Sequence, residues 1–76
     1  MADAQDISEA DIRQYLIERA DAYTMRTKRS MSYIGEAAIR DSKFLANVKN
    51  GSNFTIKTYQ RVLDWLDEEE RAERAA

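Results

Sequence analysis

The side chains with chemistry to offer are cationic and lie in the middle of the chain. Between residues 26 and 61 stand Arg26, Lys28, Arg29, Arg40, Lys43, Lys49, Lys57 and Arg61, opposed by Glu36 and Asp41, a local charge of +6. Guanidinium and ammonium groups gathered in this way attract polyanions, because binding follows the local field and not the net charge, here −2. Residues 1–25 and residues 62–76 each carry six acids against two bases, −4 apiece. The same inventory excludes other chemistry. There is no His and no Cys, which rules out zinc sites, imidazole acid–base steps, thiol nucleophiles and disulfides. No phosphate-binding Gly-rich loop is visible, the two glycines being Gly35 and Gly51. The acidic run from Asp67 to Glu70 radiates around a helix instead of converging, so it reads as a solvated surface and not a metal site. Neither an enzyme nor a cofactor is expected.

These groups must be positioned by one small domain, residues 1–76. A chain of this size buries only about 60% of its extended surface, so its core is thin. Apolar residues make up 43% and charged residues 34%, which is globular composition. The chain lacks Pro, and this favours helices over a turn-rich β fold. No apolar run reaches the length of a membrane span, and the N-terminus is acidic, unlike a secretory signal. A cytoplasmic protein is expected, with an acidic N-terminal arm over residues 1–7.

Four helices are expected, in an all-α fold. Ser8-Glu9-Ala10-Asp11 has the form of a capping box, and Ile7 with Ile12 that of a hydrophobic staple. The first helix then runs from about residue 8 to residue 23 or 25, with Ile12, Tyr15, Leu16 and Tyr23 on one face and Arg19 lying along it with its head in water. Ser30 can cap a second helix from Met31 to about Ile39, with Ile34, Ala37 and Ala38 inside. Asp41 or Ser42 can cap a third, with Phe44, Leu45 and Val48 as apolar positions and Gly51 as a left-handed stop. Thr55 caps the fourth, with Phe54 and Tyr59 as a staple and Ile56, Tyr59, Leu63 and Leu66 as its stripe, Val62 at the edge. Residues 67–76 have no apolar face and are expected to fray as an acidic tail. Tyr15, Tyr23, Tyr33 and Tyr59 read as core-edge residues.

Two short helices joined by a tight turn have helix-turn-helix geometry. Residues 30–51 resemble the helix-turn-helix of the phage Cro and repressor family, also called the XRE family, and the resemblance extends over about residues 30–66. Ile34 takes the family's apolar position in its second helix and Gly35 the small one, Leu45 and Val48 take the apolar pair that anchors the recognition helix, and Gly51 takes the terminal glycine. Two positions depart. Met31 stands where the family has Gln, and Ile39 stands where it has the turn glycine. A β-branched residue resists positive φ, so a turn shifted by one residue is expected.

The resemblance implies a lambda-repressor-like domain that binds double-stranded DNA as a small transcriptional regulator, with helix 42–50 in the major groove. By position, Ser42, Lys43 and Asn47 are the implied base contacts: Lys43 suits guanine O6 and N7, and Asn47 suits adenine. Asp41 reads first as a cap, and Phe44 as a buried residue that otherwise offers a thymine-methyl contact. Phosphate contacts are assigned to Arg26, Lys28, Arg29, Ser30, Ser32, Arg40, Lys49, Asn50 and Lys57, with the amides of residues 52–55 as a further source. A homodimer is implied, and Trp65, off the main stripe of the fourth helix, is assigned to the second subunit in preference to a lid over the first helix. A contact with the transcription machinery is a further possibility for an activator. The alternative is a helical protein-interaction module of adaptor or antitoxin type, acting through its acidic C-terminal helix.

Overall fold

The computed structural model describes residues 9–75. Ser8 and Ile7, with the capping box and staple read there, lie outside them, as does the N-terminal arm. The chain is all-helical: α1 (Glu9–Thr27), α2 (Met31–Ile39), α3 (Phe44–Lys49) and α4 (Ile56–Ala75). None of the described helices is long and apolar enough to cross a membrane.

Local signals set most boundaries. Ser30 caps α2 in extended conformation, its Oγ accepting from Tyr33 N at 3.1 Å. Gly51 takes φ +94° after α3, as a left-handed stop requires. Thr55 Oγ1 accepts from Thr58 N at 3.1 Å, and Phe54 stacks on Tyr59 with ring centroids 6.0 Å apart. The fourth-helix cap and staple both form as read.

The core joins all four helices. Leu16, Ala20 and Tyr23 come from α1, Ile34 from α2, Phe44, Leu45 and Val48 from α3, and Val62, Leu63 and Leu66 from α4. Three expected inner positions are not inside. Tyr15 is 46% exposed, Ile56 is 64% exposed, and Ala37 lies on the surface. α1 and α4 are rotated slightly from the expected phase, so α4 buries Val62 fully and α1 buries Ala20, where a small side chain allows close packing.

Two larger corrections concern the C-terminal half. Residues 67–75 do not fray: α4 continues through them and is tied to α1. Arg19 Nη2 pairs with Asp67 at 2.7 Å and Glu70 at 3.2 Å, Arg26 Nε pairs with Glu73 at 2.9 Å, and Tyr23 Oη donates to Glu69 at 3.1 Å. Burial alone pulls the Arg19 guanidinium pKa down, but the hydrogen bonds to Asp67 and Tyr15 outweigh it and the net direction is up. Its head is therefore spent on α4, not on water. Trp65, in turn, packs edge-on against Tyr23 at 5.3 Å and Tyr33 at 6.0 Å. It forms a half-buried lid over α1 and α2, the second-ranked of its two expected roles.

Candidate nucleic-acid interface

The unit that presents α3 is built on Gly35. Arg40, immediately after α2, takes the left-handed conformation (φ 59°, ψ 37°), and its N–H donates to Glu36 O at 3.0 Å. The chain then doubles back so that Asp41 N donates to Gly35 O at 3.1 Å. A Cβ on Gly35 would overlap the Asp41 carbonyl oxygen and touch Phe44 Cβ at 3.5 Å. The α2–α3 turn thus occupies the space a side chain would need. Its left-handed residue is Arg40, one position beyond Ile39, as the β-branched side chain of Ile39 led one to expect.

Asp41, expected as a cap, closes the turn ahead of α3, whose N-cap position is Lys43 with no side-chain cap. Its Oδ1 accepts from Lys43 N at 3.1 Å, and its carbonyl accepts from Phe44 N at 3.1 Å. Ser42 and Lys43 lie in this turn and not in the helix, so α3 is shorter than the 42–50 expected and holds six residues. Phe44, Leu45 and Val48 plug it into the core. Ser42, Lys43, Ala46, Asn47, Lys49 and Asn50 are all exposed. The three residues implied as base contacts are therefore exposed along the turn and α3, as are two of the implied phosphate contacts, Lys49 and Asn50.

The other end of α3 is gripped from α1. Arg13 Nη1 donates to Val48 O and to Ser52 O, both at 2.8 Å, while its Nη2 pairs with Glu9 at 2.7 Å. The guanidinium also lies over the Phe54 ring at 5.4 Å. Arg13 thereby brings a positive charge to the C-terminal end of α3, as a second donor to Val48 O, which also accepts from Gly51 N at 3.0 Å, and it holds the loop carbonyl of Ser52. Nothing in the sequence around Arg13 marks it for this role, because its partners lie 35 and 39 residues away.

The remaining implied phosphate contacts divide into two groups. Arg26 is committed to Glu73 and lies over Tyr23, and Arg29 Nη1 donates to Tyr33 Oη at 2.6 Å and Tyr23 Oη at 3.3 Å while stacking on Tyr33 at 4.6 Å. Hydrogen bonding to Tyr23 is the leading cause that raises the Arg29 pKa. Ser30 has its Oγ engaged as the α2 cap, with its hydroxyl hydrogen still available as a donor. Lys28, Ser32, Arg40 and Lys57 are exposed, as is Arg61, which was not among the implied contacts. Among the described residues, no carboxylate pairs with Lys28, Arg40, Lys43, Lys49, Lys57 or Arg61.

No family model, no curated protein and no solved structure matches this chain. Any function must therefore be argued from the site. Among the described residues, Glu9, Asp67, Glu70 and Glu73 pair with bases of α1, whereas six cations of the central segment have no carboxylate partner and are exposed around the polar face of α3. That arrangement has the charge and the exposed donors that contact with a phosphate backbone would use.

Proposed function

We propose that the chain is a sequence-specific double-stranded DNA-binding protein, a small transcriptional regulator of the Cro/repressor helix-turn-helix type. In this reading α2 crosses the phosphate backbone and α3 enters the major groove. Ser42, Lys43 and Asn47 meet base edges, and Lys28, Ser30, Ser32, Arg40, Lys49, Asn50 and Lys57 meet phosphates. Arg26 and Arg29 act one step back, holding α1, α2 and α4 together. The protein then works at the nucleoid, represses by occupying a promoter, and activates only if a further surface touches the transcription machinery. Two copies on half-sites about one helical turn apart supply the necessary length of contact.

The observation that carries this function is the separation of charge. Arg19 and Arg26 absorb acids of α4, while the central cations beyond Arg26 have no carboxylate partner among the described residues. The same observation weighs against a protein-interaction module acting through the acidic helix, since Asp67, Glu69, Glu70 and Glu73 already have partners on α1.

Titration of duplex DNA at several salt concentrations tests the proposal. If each subunit neutralises about four phosphates, the log–log slope is roughly −3 to −4 per subunit. A flat response, or no binding at low salt, sinks it. Sedimentation with and without DNA gives the stoichiometry, and one monomer per site at saturation removes the dimer.

A further inference from the structure

We propose that Ala46 is a specificity-determining residue that reads a thymine methyl group in the major groove. The inference rests on the DNA-binding function proposed above and names one of the groups that the α3 face selects. Phe44, Leu45 and Val48 are buried and define the inward arc of α3. At 100° per residue, Ala46 lies about 150° around the helix from the middle of that arc, so it is the helical residue that points farthest from the core. It is exposed, as are Ser42 and Lys43 before it and Asn47 and Asn50 after it. All four neighbours are polar, and Ala46 sets one apolar methyl at the centre of their face.

Size and polarity both bear on the contact. A side chain one carbon long lets the α3 backbone approach the groove floor, while Lys43 and Asn47 reach outward on either side. A major groove offers donors, acceptors and one apolar feature, the thymine C5 methyl. The polar neighbours suit the former and Ala46 suits the latter. Phe44 is the other residue of this segment with an apolar group to offer, and it is 6% exposed, its ring turned in against Phe54. The methyl contact therefore passes from Phe44 to Ala46.

The test uses the full-length protein and a duplex enriched by selection from random sequence. Each thymine of that duplex is replaced in turn by deoxyuridine, which deletes the methyl and leaves base pairing intact. At one position or its two-fold mate, wild-type affinity is expected to fall about fourfold, the worth of burying a single methyl group. In Ala46→Gly the ratio of thymine to deoxyuridine affinity at that position is expected to approach one. This ratio is internal to each protein, so any loss of helix stability from the glycine cancels, and circular dichroism checks that the variant remains folded. If wild-type protein binds thymine and deoxyuridine duplexes equally at every position, the inference fails and the DNA function stands. Retention of the full ratio by folded Ala46→Gly has the same consequence. An unfolded Ala46→Gly is replaced by Ala46→Ser, whose hydroxyl is expected to lower the same ratio; an unchanged ratio overturns the inference. Absence of binding to any duplex at low salt overturns both.

Discussion

Arg13 on α1 holds Val48 at the end of α3, its guanidinium donating to the Val48 carbonyl at 2.8 Å. The same nitrogen reaches Ser52 O at 2.8 Å, so one side chain fixes both the exit of α3 and the start of the loop to α4. A six-residue helix has too few internal hydrogen bonds to hold its own geometry. Its orientation comes from the core beneath it and from this grip.

Arg13→Ala is expected to cost about 1.5–3 kcal/mol, the range for hydrogen bonds to a charged group. On a domain of this size, that is about 4–8 °C of Tm for each kcal/mol. Arg13→Lys should recover only part of the loss, because an ammonium lacks the planar fork that serves Val48, Ser52 and Glu9 together. Thermal melts of the three proteins check this, and a Tm for Arg13→Ala equal to wild type refutes it.

Gly35→Ala separates two opposed effects. Helix propensity favours alanine inside α2 by about 1 kcal/mol. The new Cβ, however, overlaps a main-chain carbonyl, that of Asp41, which cannot move without opening the α2–α3 turn. The clash should win, with a net destabilisation of about 1–3 kcal/mol. A urea midpoint at or above wild type shows instead that the turn yields.

Arg40 carries the cost of a left-handed conformation. That cost is about 1–2 kcal/mol for a residue with a Cβ, partly offset for glycine by its greater freedom in the unfolded chain. Arg40→Gly should therefore raise stability by up to about 1 kcal/mol. The same change should weaken DNA binding and make its salt slope shallower by about one, if Arg40 meets a phosphate. Chemical denaturation and a salt titration on one variant read the two effects separately.

Tyr23 links pH to stability. Burial raises its hydroxyl pKa above the usual 10.0, against the lowering influence of Arg29 and with Glu69 adding to the rise. A phenol with a folded pKa above its unfolded value adds stability that is fully present below pH about 10 and is lost as pH rises through the folded pKa. The advantage of wild type over Tyr23→Phe should be constant below the phenol's ordinary pKa and shrink as pH rises above about 10. Paired denaturant melts check the sign, and a difference constant with pH contradicts it.

Base readers and backbone contacts should separate by sequence dependence. Lys43→Ala and Asn47→Ala are expected to cost about 1–3 kcal/mol on a preferred site and little on scrambled DNA. Lys49→Ala and Lys57→Ala should weaken both duplexes about equally. Uniform losses from Lys43 and Asn47 variants move the reading face elsewhere on α3.

What the sequence by itself determined is short in range. The limits of α2, the Ser30 cap, the Gly51 stop and the Thr55 cap with its Phe54–Tyr59 staple all depend on residues within four or five positions, so their chemistry is visible in order. Gly35 was also legible as the place where two helices crowd, through the resemblance that puts it at the family's small position. The tertiary structure decided what depends on rotation and distance. Periodicity locates an apolar stripe only to within a side chain's width, and packing chose Val62 and Ala20 over Ile56 and Tyr15. The acidic end of α4 resembles a solvated tail until Arg19 and Arg26, 47 to 51 residues away, are laid beside it. Trp65 became a lid through Tyr23 and Tyr33 on two other helices. Arg13 found its carbonyls in the same way, because a main-chain acceptor at a helix end carries no residue type for a sequence to display.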